Sequence, residues 1–290
     1  MSTQDTLLVT GVSGNLARQT VEFLVKNGAT KVIGTTRKPE KAEALKNLGV
    51  TIRPANFDDP STLVEAFRGA NRMLLISTNK IGQRVPQHKN AIDAAKAAGV
   101  KQVIYTSLAS ADSYSGVITN EHVETENYLK QSGLNYLILR NNLYMDTLPM
   151  KLKAAIQWGS FMGCSGEGKA SYISREDCAR AAAAALIQTK ITNTTIDISG
   201  PKALSGNDVA QITSQVVGKP VSYKDTTTDE FKATLGKMGM PPVFADGIAG
   251  FDVMAKQNLL ATSGSAVREL IGREPESLEA FLNRNKAALQ

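Results

Sequence analysis

Cysteine, histidine and tryptophan are scarce in this chain of 290 residues. It has two cysteines, Cys164 and Cys178, two histidines and one tryptophan. Two cysteines are too few for a disulfide framework, so we expect a protein of a reducing compartment, the cytoplasm. The two histidines lie far apart in the sequence and no Cys/His/Asp ligand spacing surrounds them, which predicts that the protein has no metal site.

Long apolar runs and clusters of charge are also missing. The longest apolar run, residues 181–187, is far shorter than the roughly 20 residues that a membrane span needs. Residues 1–5 have neither the basic nor the apolar region of a signal peptide, so we expect no such peptide. The net charge is +6, but lysine and arginine are spread along the chain, which disfavours a nucleic-acid surface and is compatible with an anionic cofactor.

The most informative stretch that is present is residues 7–17, where an apolar strand turns into a helix through glycines. Gly11 and Gly14 permit a tight turn and a close approach of the backbone to a phosphate, and the free N–H groups of the helix start can hold a pyrophosphate. The spacing G-x-x-G-x-x-A differs from the G-x-G-x-x-G of ordinary dehydrogenases, and no Gly-Lys-Ser/Thr follows, as it would in a Walker A loop. An ordinary turn is the alternative.

Strand and helix patterns alternate through the first 140 residues. A glycine stands where each of five helices should stop: Gly28, Gly49, Gly69, Gly99 and Gly133. This succession predicts an α/β fold with a Rossmann-type doubly wound parallel sheet. The predicted strands are 7–10, 31–36, 50–54, 73–77, 102–107 and 135–140.

The alternation stops after Arg140. Residues 158–168 are glycine-rich and typical of a loop, residues 175–188 predict a helix and 194–199 a strand, and helical patterns dominate from residue 204. We therefore expect residues 1–140, completed by about 171–200, to form an NADP-binding Rossmann domain. Residues 141–170 and 201–290 would form a smaller, mostly helical substrate-binding lobe.

Ligands of such sheets bind at the carboxyl ends of the strands, so the strand ends hold the candidate cofactor residues. Arg37 follows the second strand, where an NAD-specific site would carry Asp or Glu. Its guanidinium can pair with a 2′-phosphate, which favours NADPH; a solvated loop arginine is the alternative. Asn56 and Phe57 follow the third strand and are candidates for the edge and face of an adenine. The alternative there is a helix start at Asp59.

The remaining strand ends carry small polar and aromatic side chains. Ser77, Thr78 and Asn79 suit a position beneath a ribose or nicotinamide, and residues 105–107 and 140–144 follow the fifth and sixth strands. No tyrosine has a lysine four residues later, so the usual tyrosinate chemistry of short-chain dehydrogenases is not expected. His122, at a helix start after strand five, is a candidate proton donor. His88 is expected to have a structural or surface role.

Several motifs together resemble one family, the NmrA-like atypical short-chain dehydrogenases, in the branch of NADPH:quinone oxidoreductases related to triphenylmethane reductase. The resemblance covers essentially the whole chain. It is carried by residues 10–16, 37–42, 56–60, 75–77, 85–88, 97–101, 105–107, 121–126, 139–144 and 166–169.

This resemblance implies a Rossmann domain with a small carboxy-terminal lobe, NADPH as cofactor and direct hydride transfer to a small-molecule quinone. His122 falls where isoflavone-reductase relatives carry a catalytic lysine, and Tyr144, Tyr105 and Trp158 are candidate surfaces for stacking a flat ring. Together with the strand-end argument, the candidate catalytic residues are His122, Tyr144 and Tyr105. The candidate cofactor residues are Gly11, Val12, Ser13, Gly14, Asn15, Leu16, Arg37, Asn56, Phe57, Ser77, Thr78, Asn79, Arg140, Asn141, Asn142 and Tyr144.

The sequence also departs from this branch. Asn142 and Leu143 precede Tyr144 where the branch commonly reads Arg-Asn-Gly-Trp-Tyr, so quinone preference is the least transferable property. The NmrA-like group includes regulators that bind NADP(H) without turnover, which leaves a redox sensor, or a reductase of another conjugated acceptor, as alternatives. The sequence does not determine the oligomeric state, and a homo-oligomer is one alternative.

Overall fold

The computed structural model describes residues 4–188 and 193–289 of the chain. It divides into two compact units, one with the bounds Met1–Leu108, Asn120–Arg140 and Glu176–Ile196, the other with the bounds Ala109–Thr119, Asn141–Arg175 and Asp197–Gln290. Residues 1–3, 189–192 and 290 lie outside the described part. The signal-peptide prediction for the amino terminus and the middle of the predicted segment 171–200 fall partly on them.

The described residues form eleven strands, seven of which build one sheet. In chain order the strands are β1 (Leu7–Thr10), β2 (Val32–Thr36), β3 (Thr51–Pro54), β4 (Arg72–Leu75), β5 (Gln102–Leu108), β6 (Asn135–Asn141), β7 (Ser160–Gly163), β8 (Lys169–Ala170), β9 (Thr194–Ile198), β10 (Leu204–Ser205) and β11 (Ser222–Asp225).

The large sheet has the order β3-β2-β1-β4-β5-β6-β9. Strand β1 pairs in parallel with both β2 and β4, so the strand order reverses next to β1, at the position where doubly wound sheets bind their ligands. All four residues of β1 are buried, as expected for a central parallel strand covered on both faces. The predicted Rossmann-type sheet is confirmed.

The described chain also forms twelve α-helices. They are α1 (Asn15–Lys26), α2 (Leu63–Phe67), α3 (Arg84–Ala97), α4 (Val117–Gln131), α5 (Leu148–Trp158), α6 (Arg175–Ile187), α7 (Gly206–Val217), α8 (Thr228–Lys237), α9 (Pro242–Lys256), α10 (Ser265–Ile271), α11 (Leu278–Arg284) and α12 (Lys286–Leu289). In addition, 3-10 helices cover Pro39–Leu48, Pro60–Thr62, Ala111–Ser113 and Met145–Thr147.

The five glycines predicted to stop helices before a strand all have positive φ angles, between +79° and +87°. An L-amino acid with a side chain rarely adopts this conformation, so glycine at these positions reverses the chain without steric strain. These glycines therefore mark the positions where a helix ends before the next strand.

The prediction of a loop over residues 158–168 is partly wrong. Trp158 ends α5, and β7 follows it where we expected a loop. Strand β7 pairs in parallel with β11, which lies in the stretch after residue 204 where we expected mainly helix. Strands β8 and β10 form a second short pair, which is antiparallel. These strands have two to four residues and pair across 34 to 62 positions in the sequence, so no local periodicity marks them. No helix in residues 4–188 and 193–289 is long and apolar enough to cross a membrane.

Candidate active site

The glycine turn between β1 and α1 is shaped for close approach of a ligand. Gly11 has a φ angle of +69°, and the N–H of Gly14 donates to the carbonyl of Gly11 at 2.8 Å. A Cβ atom at Gly14 would lie 3.3 Å from the same carbonyl. No side chain caps the start of α1, so its first N–H groups have no side-chain acceptor and are available to an anion such as a pyrophosphate.

Some residues of this turn are buried in the core, and others are exposed. Val12 is fully buried, and its N–H donates to the carbonyl of Thr35 at 3.0 Å, so neither its side chain nor its N–H is free for a cofactor. Leu16 is buried as well, whereas Gly14 and Asn15 are exposed. The main chain of the turn, rather than its side chains, therefore forms the cradle.

Thr36, which the sequence reading overlooked, ties the glycine turn to the loop after β2. Its hydroxyl donates to Ser13 Oγ at 3.0 Å and accepts from the N–H of Lys38 at 3.1 Å. Thr36 is the last residue of a strand that borders the predicted nucleotide site, and this position could have predicted its role. Arg37 lies between Thr36 and Lys38 in the sequence, so these two hydrogen bonds fix its backbone relative to the glycine turn.

Arg37 lines a surface cavity of about 590 Å³ together with Arg53, Asn56 and the apolar residues Pro54 and Ala55. Its guanidinium makes no hydrogen bond or ion pair with any residue in the described ranges. That of Arg53, in contrast, donates to three carbonyl oxygens at the end of α2, those of Glu65, Ala66 and Arg68. Arg37 is thus the available cation of a cavity in the size range of ligand sites, which fits the 2′-phosphate end of NADPH.

In the loop after β3, the helix start predicted at Asp59 is present, and Asn56 also lines the cavity beside Arg37. Asp59 accepts a hydrogen bond from the N–H of Ser61 at 3.2 Å and caps the helix Pro60–Thr62, as the helix-start alternative expected. Asn56 nevertheless lines the cavity beside Arg37, and its Oδ1 accepts from the N–H of Asp58 at 3.2 Å. Phe57 is partly buried against the core of the first unit, which leaves only part of its ring for a ligand.

The loop after β4 is held by α3. His88 Nε2 accepts from the N–H of Thr78 at 3.0 Å, and Arg84 donates to the carbonyl of Thr78 at 2.9 Å. The buried hydroxyl of Thr78 has no partner among the described residues. Because buried polar groups rarely lack a partner, this hydroxyl is a candidate ligand group. Ser77 is fixed by its N–H, which donates to Thr106 Oγ1 at 2.9 Å, while Asn79 is exposed.

His88 is a structural residue, and the surface alternative is wrong, because its side chain is fully buried. Since Nε2 accepts a hydrogen bond, the proton is on Nδ1, which donates to Thr125 Oγ1 at 3.0 Å. Burial and the nearby Arg84 lower the pKa of His88 to about 3. His88 is therefore neutral at physiological pH and connects α3, α4 and the loop after β4.

His122 and Tyr105 form a buried pair in the first unit. The Tyr105 hydroxyl lies 2.8 Å from His122 Nδ1, and the two side chains are 0% and 5% exposed. Burial, followed by the positive Arg84, lowers the pKa of His122 well below its usual value, and burial raises that of Tyr105. Both groups are therefore neutral. The hydroxyl donates to Nδ1, and the histidine proton is on Nε2. With no exposed ring face, Tyr105 does not offer a stacking surface.

Arg140 is engaged by a buried carboxylate. Its guanidinium makes two hydrogen bonds to Glu126, at 3.0 and 2.8 Å, and Glu126 also accepts from the Ser107 hydroxyl at 2.6 Å. Glu126 is 1% exposed. Two-point pairs of this kind fix side-chain geometry, so this network orders the ends of β5 and β6 around His122. Arg140 supports the site rather than presenting a free cation.

The predicted residues after Arg140 belong to the second unit, and their surroundings differ. Asn142 is buried and donates to the carbonyl of Leu260 at 2.8 Å and to Thr262 Oγ1 at 3.0 Å, while its Oδ1 accepts from the N–H of Leu143 at 2.8 Å. Its amide is thus used internally, which argues against the predicted cofactor contact. Sequence reasoning missed this because all these partners except Leu143 are more than 50 positions away.

Asn141 and Tyr144 are better placed to meet a ligand. Asn141 Nδ2 donates to the Tyr144 hydroxyl at 2.9 Å, but its buried Oδ1 has no partner in the part of the chain that the structure describes. The Arg175 guanidinium lies 5.2 Å from the centre of the partly exposed Tyr144 ring. Trp158, the other stacking candidate, is 76% exposed at the end of α5. Within residues 4–188 and 193–289 no cluster of three potential metal ligands occurs.

The chain is similar along nearly its whole length to known reductases. Quinone oxidoreductase 2 of Escherichia coli (strain K12) is 36% identical over 273 residues, which are 94% of this chain and 96% of that protein. The structure of the NADPH-dependent quinone oxidoreductase of Escherichia coli in complex with NADPH matches with a TM-score of 0.93, at 34% identity, over 97% of this chain and 100% of the other.

A second solved structure, the Citrobacter sp. triphenylmethane reductase in complex with NADP(H), matches with a TM-score of 0.90 at 28% identity and covers 96% of this chain and 99% of the other. The model of the NmrA-like family matches residues 3–282. The chain is therefore a member of the NmrA-like family.

Proposed function

We propose that this protein is an NADPH-dependent quinone oxidoreductase. The observation that carries the proposal is the arrangement at the strand ends of the first unit. There, an uncapped helix start follows a glycine turn, and the unpaired Arg37 lines a cavity of about 590 Å³. The 36% identity with a quinone oxidoreductase over 94% of the chain supports a quinone as the acceptor.

The residues present fit NADPH, which when bound supplies a hydride from its nicotinamide ring. The glycine turn would hold the pyrophosphate through backbone N–H groups, and Arg37 would pair with the 2′-phosphate. The buried hydroxyl of Thr78, which has no partner among the described residues, would orient a sugar or amide group.

His122 would act as a neutral hydrogen-bond donor toward the acceptor oxygen. Its Nδ1 is occupied by the Tyr105 hydroxyl at 2.8 Å, so Nε2–H is the group left to stabilise negative charge that develops on the reduced carbonyl. Reduction of a quinone yields an aromatic product and needs less assistance than reduction of a simple ketone. This explains how the reaction proceeds although none of the seven tyrosines has a lysine four residues later.

The proposed function is tested by following NADPH oxidation with a panel of acceptors: a benzoquinone, a naphthoquinone, a triphenylmethane dye and an aldehyde. We expect fast oxidation with the quinones and none with the aldehyde. Tight NADPH binding without oxidation by any quinone would contradict the proposal and identify a cofactor-binding regulator instead. Faster turnover of the dye than of either quinone would identify a reductase of another conjugated acceptor.

Replacing His122 tests its assigned role. The change His122→Phe removes the N–H donor while keeping a flat ring, and we expect kcat with a quinone to fall by about a hundredfold, the usual consequence of losing one such donor. The KM for NADPH should change little. The change Tyr105→Phe, which removes only the group that orients the imidazole, should lower kcat by a smaller factor. An unchanged kcat in soluble, folded His122→Phe protein would exclude this role.

A further inference from the structure

Two routes of hydrogen bonds connect the loop after β4 to helix α4, and all their residues belong to the first unit. Both routes begin at the backbone of Thr78, whose buried hydroxyl has no partner among the described residues. Both end at Glu121, which directly precedes His122 in the chain. Since Thr78 would orient the cofactor and His122 would face the acceptor, the two routes set the relative position of these groups.

The first route contains a buried ion pair. Arg84 donates through Nε to the carbonyl of Thr78 at 2.9 Å and through Nη1 to Glu121 Oε2 at 3.1 Å. The other carboxylate oxygen of Glu121 accepts from the N–H groups of Gly82 and Arg84, at 2.9 and 3.1 Å. The side chains of Arg84 and Glu121 are 8% and 11% exposed. One carboxylate therefore holds both the guanidinium and the end of the loop.

The second route consists of neutral groups. The N–H of Thr78 donates to His88 Nε2 at 3.0 Å, and His88 Nδ1 donates to Thr125 Oγ1 at 3.0 Å. The Thr125 hydroxyl in turn donates to the carbonyl of Glu121 at 2.8 Å. The N–H and the carbonyl of Thr78 are thus both bonded, so the residue cannot shift relative to α4 without breaking one of the routes.

Stability alone does not account for the charged route. Burying an ion pair costs desolvation energy, and replacing such a pair with well-packed apolar side chains is often neutral or stabilising. The planar fork of arginine, in contrast, binds two acceptors in a fixed geometry. Here the two acceptors are the carbonyl of Thr78 and the carboxylate of Glu121, so the pair determines where the loop lies.

We infer that Arg84 and Glu121 are positioning residues, which fix Thr78 and the cofactor group it would orient relative to His122. The inference rests on the proposed function. Reaction requires the reacting atoms to be about 3–3.5 Å apart, and a misplacement of about 1 Å can lower a rate about a hundredfold. The glycine turn and Arg37, which would hold the NADPH phosphates, lie at the ends of other strands, β1 and β2. Loss of the ion pair should therefore lower kcat far more than it weakens NADPH binding.

The test compares the wild-type protein with Arg84→Met, Glu121→Gln, the double variant and a matched control, Lys89→Met. The first change removes the guanidinium and keeps an unbranched apolar side chain, and the second removes the charge and keeps the shape. Lys89 also joins α3 to α4, through Glu124 at 2.8 Å, but this ion pair is at the surface. For each folded protein we measure kcat with 1,4-naphthoquinone, the Kd of NADPH and the fluorescence anisotropy of bound NADPH.

For Arg84→Met and for Glu121→Gln we expect kcat to fall about tenfold or more, while the Kd of NADPH stays within about threefold of the wild-type value. Because the two residues act as one unit, the double variant should lose no more activity than the more affected single variant. The control should match the wild-type protein. An unchanged kcat in Arg84→Met, losses that multiply in the double variant, or an equal weakening of NADPH binding would overturn the inference.

A further variant, Arg84→Lys, keeps the positive charge and lacks the planar fork. We expect it to fold and to recover only part of the kcat that Arg84→Met loses, so it decides the question if Arg84→Met does not fold. Full wild-type kcat in Arg84→Lys would show that charge alone matters and would overturn the positioning role.

Failure of the proposed function gives a different pattern, because the wild-type protein itself would then oxidise NADPH with no quinone. The anisotropy of bound NADPH decides in that case whether the ion pair orders the cofactor. Lower anisotropy in Arg84→Met than in the wild-type protein and in Lys89→Met would support the ordering of the loop. Equal anisotropy in all three proteins would overturn it.

Discussion

The change Arg37→Ala is expected to raise the KM for NADPH at least tenfold and to leave the KM for NADH nearly unchanged. Arg37 is exposed and makes no ion pair or hydrogen bond within the described residues, so its removal breaks no such contact. Its positive charge does help to lower the pKa of Asp58, after the hydrogen bonds from Gln87 and Lys80. A charge-assisted hydrogen bond to a phosphate is among the stronger polar contacts, but exposure to water weakens it. The effect should shrink further as salt is added, because the attraction is screened.

The matched control is Lys26→Ala. Lys26 is an exposed cation in the last turn of α1, the helix whose first turn follows the glycine turn, and a helix of 12 residues places it about 18 Å away. If Arg37 acts only through the general positive charge of the protein, both variants will weaken NADPH binding alike. A parallel rise of the KM for NADPH and NADH in Arg37→Ala would also contradict the 2′-phosphate contact.

The free energy of unfolding is expected to fall steeply as the pH drops below about 6.5. His88 has a pKa of about 3 in the folded protein, where burial keeps it neutral, and burial also lowers the pKa of His122 well below 6.5. The unfolded chain binds a proton on each imidazole below pH 6.5 while the folded protein does not, so acid favours unfolding. Each such proton contributes about 1.4 kcal/mol per pH unit, or about 2.7 kcal/mol for the pair.

These two residues are the only histidines of the chain, so the interval between pH 5 and 6.5 reports mainly on them. One group works in the opposite direction: burial raises the pKa of Asp252, which favours the folded protein as the pH falls. The midpoint of urea unfolding, followed by circular dichroism at several pH values, measures the balance. In the double variant His88→Gln/His122→Gln the decline should largely disappear. A midpoint that is the same at pH 5 and 7 in the wild-type protein would show that the histidines are not buried as neutral groups.

The sequence predicted the sheet well because each part of the signal is local. The apolar run of β1, the glycine turn after it and the helix-stopping glycines each specify their structure within a few residues. For the same reason Arg37 and Asn56 could be placed at strand ends, and the structure brings them to one cavity.

The parts of the site that were misjudged depend on contacts distant in sequence. Asn142 has the residue type and strand-end position of a ligand contact, but Leu260 and Thr262, about 120 positions later, take up its amide. Tyr105 has the ring of a stacking surface, but a central strand buries it beneath His122. The sequence shows which polar and aromatic side chains are present. It does not show which of them are hydrogen-bonded or buried within the folded protein.

A single-turnover reaction tests the central claim most directly. Protein loaded with NADPH that carries deuterium at the transferable position of nicotinamide C4 is mixed with 1,4-naphthoquinone as the sole acceptor, and the decay of NADPH is followed together with hydroquinone formation. We predict one hydroquinone per NADPH consumed, with a slower decay than for unlabelled NADPH, because the C4–H bond breaks during transfer. A protein that binds NADPH and leaves it unoxidised in the presence of the quinone would contradict this account.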